Sequence, residues 1–259
     1  MKILGRIAVW LACLALLGPI IVVVVVSFSG DAYLRFPPAS LSLQWYVAFL
    51  SDSRWRHALT NSLQVAAMCC VVSTLFGFLA AYAFVRGKLA MQGALMALVL
   101  TPLIVPSIVT AIAMYFLSVR LGLIGNRFWL ATTHATVALP IVVIIAQSAL
   151  QGINPELERA ALVCGCTRWG VLWRVVLPLA LPGMMSAALF AFLASFDELV
   201  IALFVAGIQG QTLPVRIWNS LAQELEPTIA AVSTLLIAAT VLVLALDLAI
   251  RRIGARGRA

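Results

Sequence analysis

The chain has 259 residues, of which 64% are hydrophobic and only 10% are charged, with a formal net charge of +8 and a mean hydropathy of +1.11. Soluble proteins average about 45–50% apolar and about 25% charged residues, so this chain has too few polar groups to cover a water-exposed surface. These values exclude a soluble globular fold and intrinsic disorder, and the odd number of cysteines, five, argues against a disulfide-stabilised secreted fold.

Six apolar segments are long enough to cross a membrane. A helix needs about 20 residues to cross roughly 30 Å of hydrocarbon. The predicted spans are residues 7–28, 58–85, 91–119, 129–150, 181–205 and 227–250. The first span follows Lys2 and Arg6 as a secretory signal would, but its length and the lack of a small-residue cleavage site predict a retained helix. The sequence therefore predicts an all-α membrane protein with six transmembrane helices and one domain, residues 1–259.

The lysines and arginines predict the orientation of these spans. If the six spans alternate, 11 basic residues lie on the side of the termini and six lie on the other. Cytoplasmic loops carry the excess of basic residues, so both termini are predicted to be cytoplasmic. The longest external loop is then residues 29–57. Because the positive charge follows this pattern, we read it as a signal of topology and not of nucleic-acid binding.

Prolines and one acidic residue mark positions within the spans. Pro102, Pro106 and Pro140 are predicted to kink their helices, a pattern common where spans surround a cavity. Asp247 lies four residues before Arg251, and we predict a helix-surface ion pair without a functional role.

The long cytoplasmic connection, residues 151–180, contains a short amphipathic helix. Asn154 is predicted to cap its N-terminus, Pro155 to occupy the first turn and Gly165 to end it, so the helix runs over residues 155–164. An apolar stripe with helical spacing is formed by Leu157, Ala160, Ala161 and Cys164. Two interpretations follow: the helix docks into a partner, or it lies on the lipid headgroups.

A second short helix is predicted directly after the first. Thr167 is placed to cap it, and it is predicted to extend to about residue 176. The Leu177-Pro178 and Leu181-Pro182 pairs are predicted to stop it before the fifth span.

Two adjacent acids, Asp197 and Glu198, interrupt the apolar fifth span. A charged residue near the middle of a membrane helix costs roughly 2.5–3.5 kcal/mol on insertion scales, so such residues are seldom incidental. The functional interpretation places the carboxylates along a path for a cationic solute; the structural alternative is an interhelical hydrogen bond or ion pair. Ser195 and Phe196 adjoin the pair, and we predict that Phe196 serves packing.

Catalytic and metal-binding motifs are missing from the sequence. Gly87-Lys88 lacks the spaced upstream glycine of a P-loop, and neither an H-E-x-x-H nor a G-x-S-x-G pattern occurs. Cys164-x-Cys166 is too short for a zinc pair. The sequence predicts a non-enzymatic protein that uses no cofactor or metal and binds no nucleic acid.

The 151–180 connection resembles the hallmark loop of the membrane subunits of binding-protein-dependent ABC importers. That loop reads E-A-A, three residues, glycine, nine residues, then I-x-L-P. Here Ala160-Ala161 are followed at the same spacing by Gly165 and by Val175-Val176-Leu177-Pro178. One position departs from the pattern: Arg159 precedes the alanines, and the acid, Glu158, lies one residue earlier.

The resemblance implies a bacterial inner-membrane permease subunit whose loop forms a coupling helix between spans four and five. The implied partners are a second permease subunit, a dimeric cytosolic ATPase that hydrolyses the ATP, and a periplasmic solute-binding protein. The residues implied in coupling to the ATPase are Glu158, Arg159, Ala160, Ala161, Gly165, Leu177 and Pro178.

Within this family the chain most resembles the spermidine/putrescine permeases. The similar stretches are Ser195-Phe196-Asp197-Glu198, Thr212 to Trp218 and Pro227 to Thr234. The implied substrate path includes Ser195, Asp197, Glu198, Trp45 and Tyr46, although the two aromatic residues also fit the interfacial belt of a membrane protein. Two alternatives stay open: another solute, such as iron, a phosphonate, an opine or an amino-acid derivative, and a secondary transporter that needs no ATPase.

Overall fold

The structure is a computed structural model that describes residues 2–223 and 226–256. Within these residues the regular structure is helical, and a single antiparallel bridge joins Ser29 to Leu41. The predicted all-α fold is confirmed.

The described residues contain twelve α-helices and one π-helix. The first six helices are α1 (Lys2–Ser27), α2 (Gln44–Ser51), α3 (Ser53–Arg86), α4 (Gln92–Ile104), α5 (Ser107–Leu121) and α6 (Arg127–Gln151). The others are α7 (Pro155–Val163), α8 (Arg168–Val171), the π-helix (Leu172–Val176), α9 (Leu177–Phe196), α10 (Val200–Val205), α11 (Leu213–Gln223) and α12 (Thr228–Arg256).

Five helical stretches in the described residues are long and apolar enough to cross a membrane. They are Trp10–Ser27, Ser53–Arg86, Arg127–Gln151, Arg168–Phe196 and Thr228–Ala249. The pair α4 and α5 passes the same test jointly but is bent by 99°. The predicted number of six spans is reached when this bent pair counts as one.

The segment predicted as one span at 91–119 is therefore two helices. Val105, between α4 and α5, has an extended backbone with ψ of 132°, and Pro106 follows it. A proline disfavours helical geometry in the residue before it, because its ring clashes with that residue's backbone. The sequence predicted a kink here, and the structure shows a complete break.

The fifth span begins earlier than predicted and contains its own break. The helix that Thr167 caps runs through the π-helix directly into α9, so the prolines do not stop it. Pro178 is the second residue of α9 and lies two residues after the π-helix, within the continuing helix. The span then breaks after Phe196, and Asp197 and Glu198 lie between α9 and α10, not within a continuous helix.

The chain divides into two compact units. One comprises Met1–Ala58 with Val215–Val241, and the other comprises Leu59–Pro214 with Leu242–Ala259. In the second unit α6 packs along α9, and α10 packs against α5. A Cβ atom on Gly183 of α9 would collide with the Cβ of Ala149 in α6, so the glycine allows the two helices to approach closely.

A buried apolar cluster in the second unit supports the 151–180 connection. Its members come from α3, α6, the α6–α7 connection and the stretch from α8 to α9, and they include Phe78, Leu150, Ile153, Leu172 and Val176. The connection is thus seated on the ends of membrane helices.

Asp247 was predicted to lie on the helix surface, and this prediction is wrong. Its residue is buried, and the side chain of Arg251, its predicted partner, lies outside the described residues.

Candidate functional site: helix α7 and the helix break

Helix α7 is capped at both ends by the predicted residues. The Asn154 side chain accepts a hydrogen bond from the Glu156 N–H at 3.0 Å, and Pro155 occupies the first turn. Gly165 has a φ of +89°, and the N–H of Cys166 donates to the Ala161 carbonyl at 3.0 Å. This left-handed glycine ends the helix as a Schellman motif, which satisfies carbonyls that the helix end leaves free. The helix predicted over 155–164 is observed with Cys164 as its C-cap.

The apolar stripe of α7 is divided between two environments. Ala161 packs against the buried cluster of its own chain. Leu157, Ala160 and Cys164 are exposed, and Val163, outside the predicted stripe, is 88% exposed. An exposed apolar face on a short helix fits both predicted interpretations, docking into a partner and contact with the lipid headgroups.

The two acids of α7 form ion pairs of different kinds. Glu158 accepts a hydrogen bond from Nε of Arg86, the last residue of α3, at 2.7 Å, and both side chains are largely buried. Glu156 pairs with Arg159 at 2.6 Å, and both of these side chains are exposed. Arg159 therefore lies on the outer surface of α7, whereas Glu158 faces the protein.

The segment after α7 begins with a second capped turn. The Thr167 hydroxyl accepts a hydrogen bond from the Gly170 N–H at 3.1 Å, as predicted. Trp169 and Trp173 are exposed beyond it. Leu177 is partly buried against the same apolar cluster, while Pro178 is exposed.

The break after α9 holds the two adjacent acids in different roles. Asp197 ends α9 with φ of −95° and ψ of 0°, and its residue is exposed. Glu198 accepts a hydrogen bond from the Ile201 N–H at 3.0 Å through Oε1, so it caps the first turn of α10. This cap gives a physical reason for the break, because the carboxylate replaces a backbone partner that a continuous helix would supply.

Ser195 is tied to a histidine. Its hydroxyl shares a 2.9 Å hydrogen bond with Nδ1 of His134 in α6, and both residues are buried. Phe196 stacks on Phe192 with ring centroids 5.6 Å apart, in agreement with its predicted packing role. The structure thus places Ser195 in a helix contact next to the acids.

A cavity of about 800 Å³ opens in the first unit beside one of the predicted aromatic residues. Its lining includes Tyr33, Trp45, Asp52, Arg54, Trp55 and Glu226. Asp52 and Arg54 form an ion pair at 2.8 Å, and the hydrogen bond from Arg54 holds the pKa of Asp52 below its usual value.

The aromatic residues around this cavity differ in what they contact. The guanidinium of Arg216 lies 5.3 Å from the ring centroid of Trp55, so this chain supplies its own cation to that ring. Tyr46 is separate: its hydroxyl shares a 2.7 Å hydrogen bond with the Ser27 hydroxyl, and its ring packs against Phe28. Trp45 lines the cavity, and Tyr46 anchors α2 to the end of α1.

Sequence reasoning missed Arg86 and His134. Their partners lie 72 and 61 residues away along the chain, so local spacing gives no sign of either contact. The one available signal was that each is a polar residue at or within an apolar span.

Comparison with known proteins identifies the family. The binding-protein-dependent transport system inner membrane component family matches residues 73–258, which includes α7, its caps and the break after α9. The chain belongs to this family. It is therefore a permease subunit of an ABC importer.

Curated relatives align with most of the chain. The putrescine transport system permease protein PotI of Escherichia coli K12 is 30% identical over 245 residues, covering 89% of this chain and 86% of PotI. The spermidine/putrescine transport system permease protein PotC of Haemophilus influenzae is 30% identical over 239 residues, covering 90% and 91%. The sulfoquinovosyl glycerol transport system permease protein SmoH of Agrobacterium fabrum is 31% identical over 181 residues, covering 70% and 64%.

Solved structures share the fold. A bacterial ABC transporter that imports the acidic polysaccharide alginate has a chain that matches with a TM-score of 0.71 and 18% identity, covering 95% of this chain and 94% of that one. The methionine transporter MetNI, in an inward-facing conformation, matches with a TM-score of 0.53 and 20% identity, covering 79% and 96%. These likenesses support the importer permease fold.

Proposed function

We propose that this permease imports polyamines or closely related small organic cations across the bacterial inner membrane. The observation that carries the proposal is the 30% identity to putrescine and spermidine/putrescine permeases over about nine-tenths of the chain. The carboxylates of Asp197 and Glu198, at the break between α9 and α10, supply the charge that such a solute needs when it loses hydrating water.

Asp197 is the carboxylate that contacts the solute in this proposal. Asp197 is exposed at the break, whereas one carboxylate oxygen of Glu198 already accepts a hydrogen bond from the first turn of α10. A fixed carboxylate beside low-dielectric walls attracts an ammonium group more strongly than one at a free surface. Ser195 and His134 then act behind it, by holding the end of α9 against α6.

Trp45 provides an aromatic face for the solute, or for the solute-binding protein, on the outer side. It shares its cavity with Glu226 and the Asp52–Arg54 ion pair, so acidic and aromatic groups occur together. This combination suits an organic cation, because both the carboxylate and the ring face attract it. Tyr46, through its hydrogen bond with Ser27, holds α2 in place and so positions Trp45 at the cavity.

The proposed complex has four kinds of component. This chain and a second permease subunit form the pore, a dimeric cytosolic ATPase hydrolyses the ATP, and a periplasmic protein delivers the solute. Both termini and α7 lie in the cytoplasm, which the excess of Lys and Arg on that side supports. The chain of 259 residues acts as one non-catalytic permease domain in this arrangement.

Helix α7 is the proposed coupling helix. Its exposed face, formed by Leu157, Arg159, Ala160 and Val163, is the part that fits into the ATPase. ATP binding closes the ATPase dimer and carries α7 with it, and the movement reaches the membrane helices through Ala161 and the buried cluster beneath it. The chain then turns at Gly165 and enters α9 at Leu177 and Pro178, and we assign these three residues to positioning α7 relative to α9.

A second solute class is favoured by one specific observation. SmoH, whose name gives sulfoquinovosyl glycerol as its solute, is 31% identical over a shorter alignment. An anionic sugar derivative would not be attracted by the carboxylates at the break. Uptake tests therefore need to compare a polyamine with an anionic sugar derivative.

The test is ATP-driven uptake by the whole complex. Proteoliposomes that contain both permease subunits, the ATPase and the binding protein are loaded with ATP, and uptake of radiolabelled putrescine and spermidine is measured. We expect vanadate-sensitive uptake that sulfoquinovosyl glycerol does not inhibit. Uptake of sulfoquinovosyl glycerol without uptake of either polyamine would refute the proposed polyamine substrate. Uptake in the absence of the ATPase would contradict the importer mechanism for this chain.

A further inference from the structure

Arg86 joins α3 to the coupling helix through a largely enclosed ion pair. Its Nε donates to Oε1 of Glu158 at 2.7 Å, and the two side chains are only 18% and 13% exposed. Exposed ion pairs are weakened by solvent and salt, but this pair is mostly shielded from both. The neighbouring Glu156–Arg159 pair, which is exposed on the same helix, lacks this shielding.

Arg86 also binds the end of a third element. Its Nη2 donates to the Ile153 carbonyl at 2.9 Å and to the Leu150 carbonyl at 3.3 Å. Leu150 lies in the last turn of α6, and Ile153 follows that helix just before α7. A guanidinium at the C-terminal end of a helix complements the negative end of the helix dipole. One side chain therefore holds α3, the end of α6 and α7 together.

Apolar contacts complete this junction. Ala161 of α7 packs against the buried cluster that contains Leu150 and Ile153, and Val85 of α3 packs there as well. Ala161 lies three residues after Glu158, which places it close to the same helix face. The ion pair and the apolar contact together fix how α7 sits on the membrane helices.

From this geometry we infer that Arg86 is a positioning residue for the coupling helix. It binds Glu158 and the carbonyls of Leu150 and Ile153 so that α7, α3 and the end of α6 move as one body. This inference rests on the proposed function of α7 as the coupling helix. It assigns Glu158 to an internal contact, and leaves the exposed Glu156–Arg159 pair as the charged groups that α7 presents to the ATPase.

A rigid junction is needed for coupling because a helix that swivels on its anchor would follow the ATPase without moving the spans. Loss of the junction should therefore uncouple the two activities. The expected signature is ATP hydrolysis that no longer responds to the binding protein, in a complex that still assembles. A role in folding alone would lower the amount of complex and leave its response unchanged.

The experiment compares alanine variants of the pair in the reconstituted complex. Arg86→Ala, Glu158→Ala, the double variant and the control Lys88→Ala are purified with the ATPase, and hydrolysis is measured with and without putrescine-loaded binding protein. Lys88 is exposed two residues after Arg86, so its removal deletes the same charge outside the junction. Uptake of putrescine is measured in parallel.

We expect the stimulated-to-basal hydrolysis ratio to fall about tenfold in Arg86→Ala and Glu158→Ala, within the range of roughly 5- to 150-fold typical of coupling between sites. The double variant should lose no more than Arg86→Ala, because both changes remove the same junction. Lys88→Ala should match the wild type. A wild-type ratio in either single variant, or losses that multiply in the double variant, would overturn the inference.

A milder variant covers the case in which an alanine variant fails to accumulate. Glu158→Gln keeps the shape of the side chain and an acceptor oxygen but removes its charge. It should accumulate normally and lower the ratio about fivefold, at the weak end of the coupling range. A wild-type ratio would refute the role of Arg86. If the wild-type complex itself shows no ATP-driven uptake, the proposed function fails instead, whatever the variants do.

Discussion

The hydroxyl of Ser195 and Nδ1 of His134 lie 2.9 Å apart in a buried contact between α6 and α9, two residues before the acid that ends α9. Both partners are polar in an apolar region, so each depends on the other for its hydrogen bond. The contact fixes the end of α9 and with it the position of Asp197. A helix break in an otherwise apolar span is thereby held in one place.

Removing this hydroxyl should destabilise the protein. Ser195→Ala leaves Nδ1 of His134 buried without its partner, at a cost of about 1–3 kcal/mol. We expect a lower unfolding temperature in detergent, measured by intrinsic fluorescence. Ser148→Ala, an exposed serine on α6, is the control and should unfold like the wild type. Equal unfolding temperatures for both variants would show that the contact stabilises nothing.

Gly165 should tolerate no side chain because of its backbone and not because of space. A Cβ atom there would meet nothing within 4 Å, but the φ of +89° is strained for any other residue. Gly165→Ala should cost about 1 kcal/mol at the end of α7 and reduce stimulated ATP hydrolysis. Gly93→Ala, in the first turn of α4 where a Cβ atom would also meet nothing within 4 Å, is the matched control and should be neutral or slightly stabilising. Normal stimulation in Gly165→Ala would contradict a role for this helix end in coupling.

Ala160 and Ala161 should respond differently to a large charged residue, although they are adjacent. Ala160 is exposed on the proposed docking face, so Ala160→Arg should accumulate normally but fail to copurify with the ATPase. Ala161 packs on the buried cluster, so Ala161→Arg should reduce the amount of folded permease itself. Quantified pull-downs with a tagged ATPase measure both effects. The reverse pattern would mean that α7 presents the opposite face.

The predicted topology can be tested with one native and one introduced cysteine. Cys164 is exposed at the end of α7, and residue 35 lies in the loop predicted to be external. In a chain without the other four cysteines, an impermeant maleimide added outside intact cells should label Arg35→Cys and spare Cys164. Labelling of Cys164 from outside would invert the orientation or change the number of spans.

Local sequence signals predicted the helix ends and caps well. Asn154, Gly165 and Thr167 act on backbone groups within a few residues, so their roles can be read from spacing alone. Four apolar spans, 7–28, 58–85, 129–150 and 227–250, were predicted close to the observed helices, because the length needed to cross a bilayer is fixed by helix geometry.

The sequence was less informative where neighbours decide the structure. Val105-Pro106 and Leu177-Pro178 are similar dipeptides. The first separates two helices that are bent by 99°, and the second lies in a continuing helix. A π-helix precedes Pro178, and no local sequence pattern predicts it. The Arg86–Glu158 and His134–Ser195 contacts join distant segments, so they became visible only in three dimensions.

The two acids at the break should contribute unequally to transport. Asp197→Asn removes the charge of the exposed carboxylate, whereas Glu198→Gln keeps an oxygen that can still cap Ile201. We expect Asp197→Asn to lower putrescine uptake by at least about tenfold, which corresponds to roughly 1.4 kcal/mol, and Glu198→Gln to lower it less. Initial uptake rates in proteoliposomes, at equal amounts of complex, measure both.

The most direct test of the account is putrescine uptake by the double variant Asp197→Asn/Glu198→Gln in the complete reconstituted importer. The account predicts that the complex assembles and hydrolyses ATP but transports putrescine more slowly than either single variant. Transport at the wild-type rate would show that the carboxylates are structural and that they do not form a path for a cationic solute.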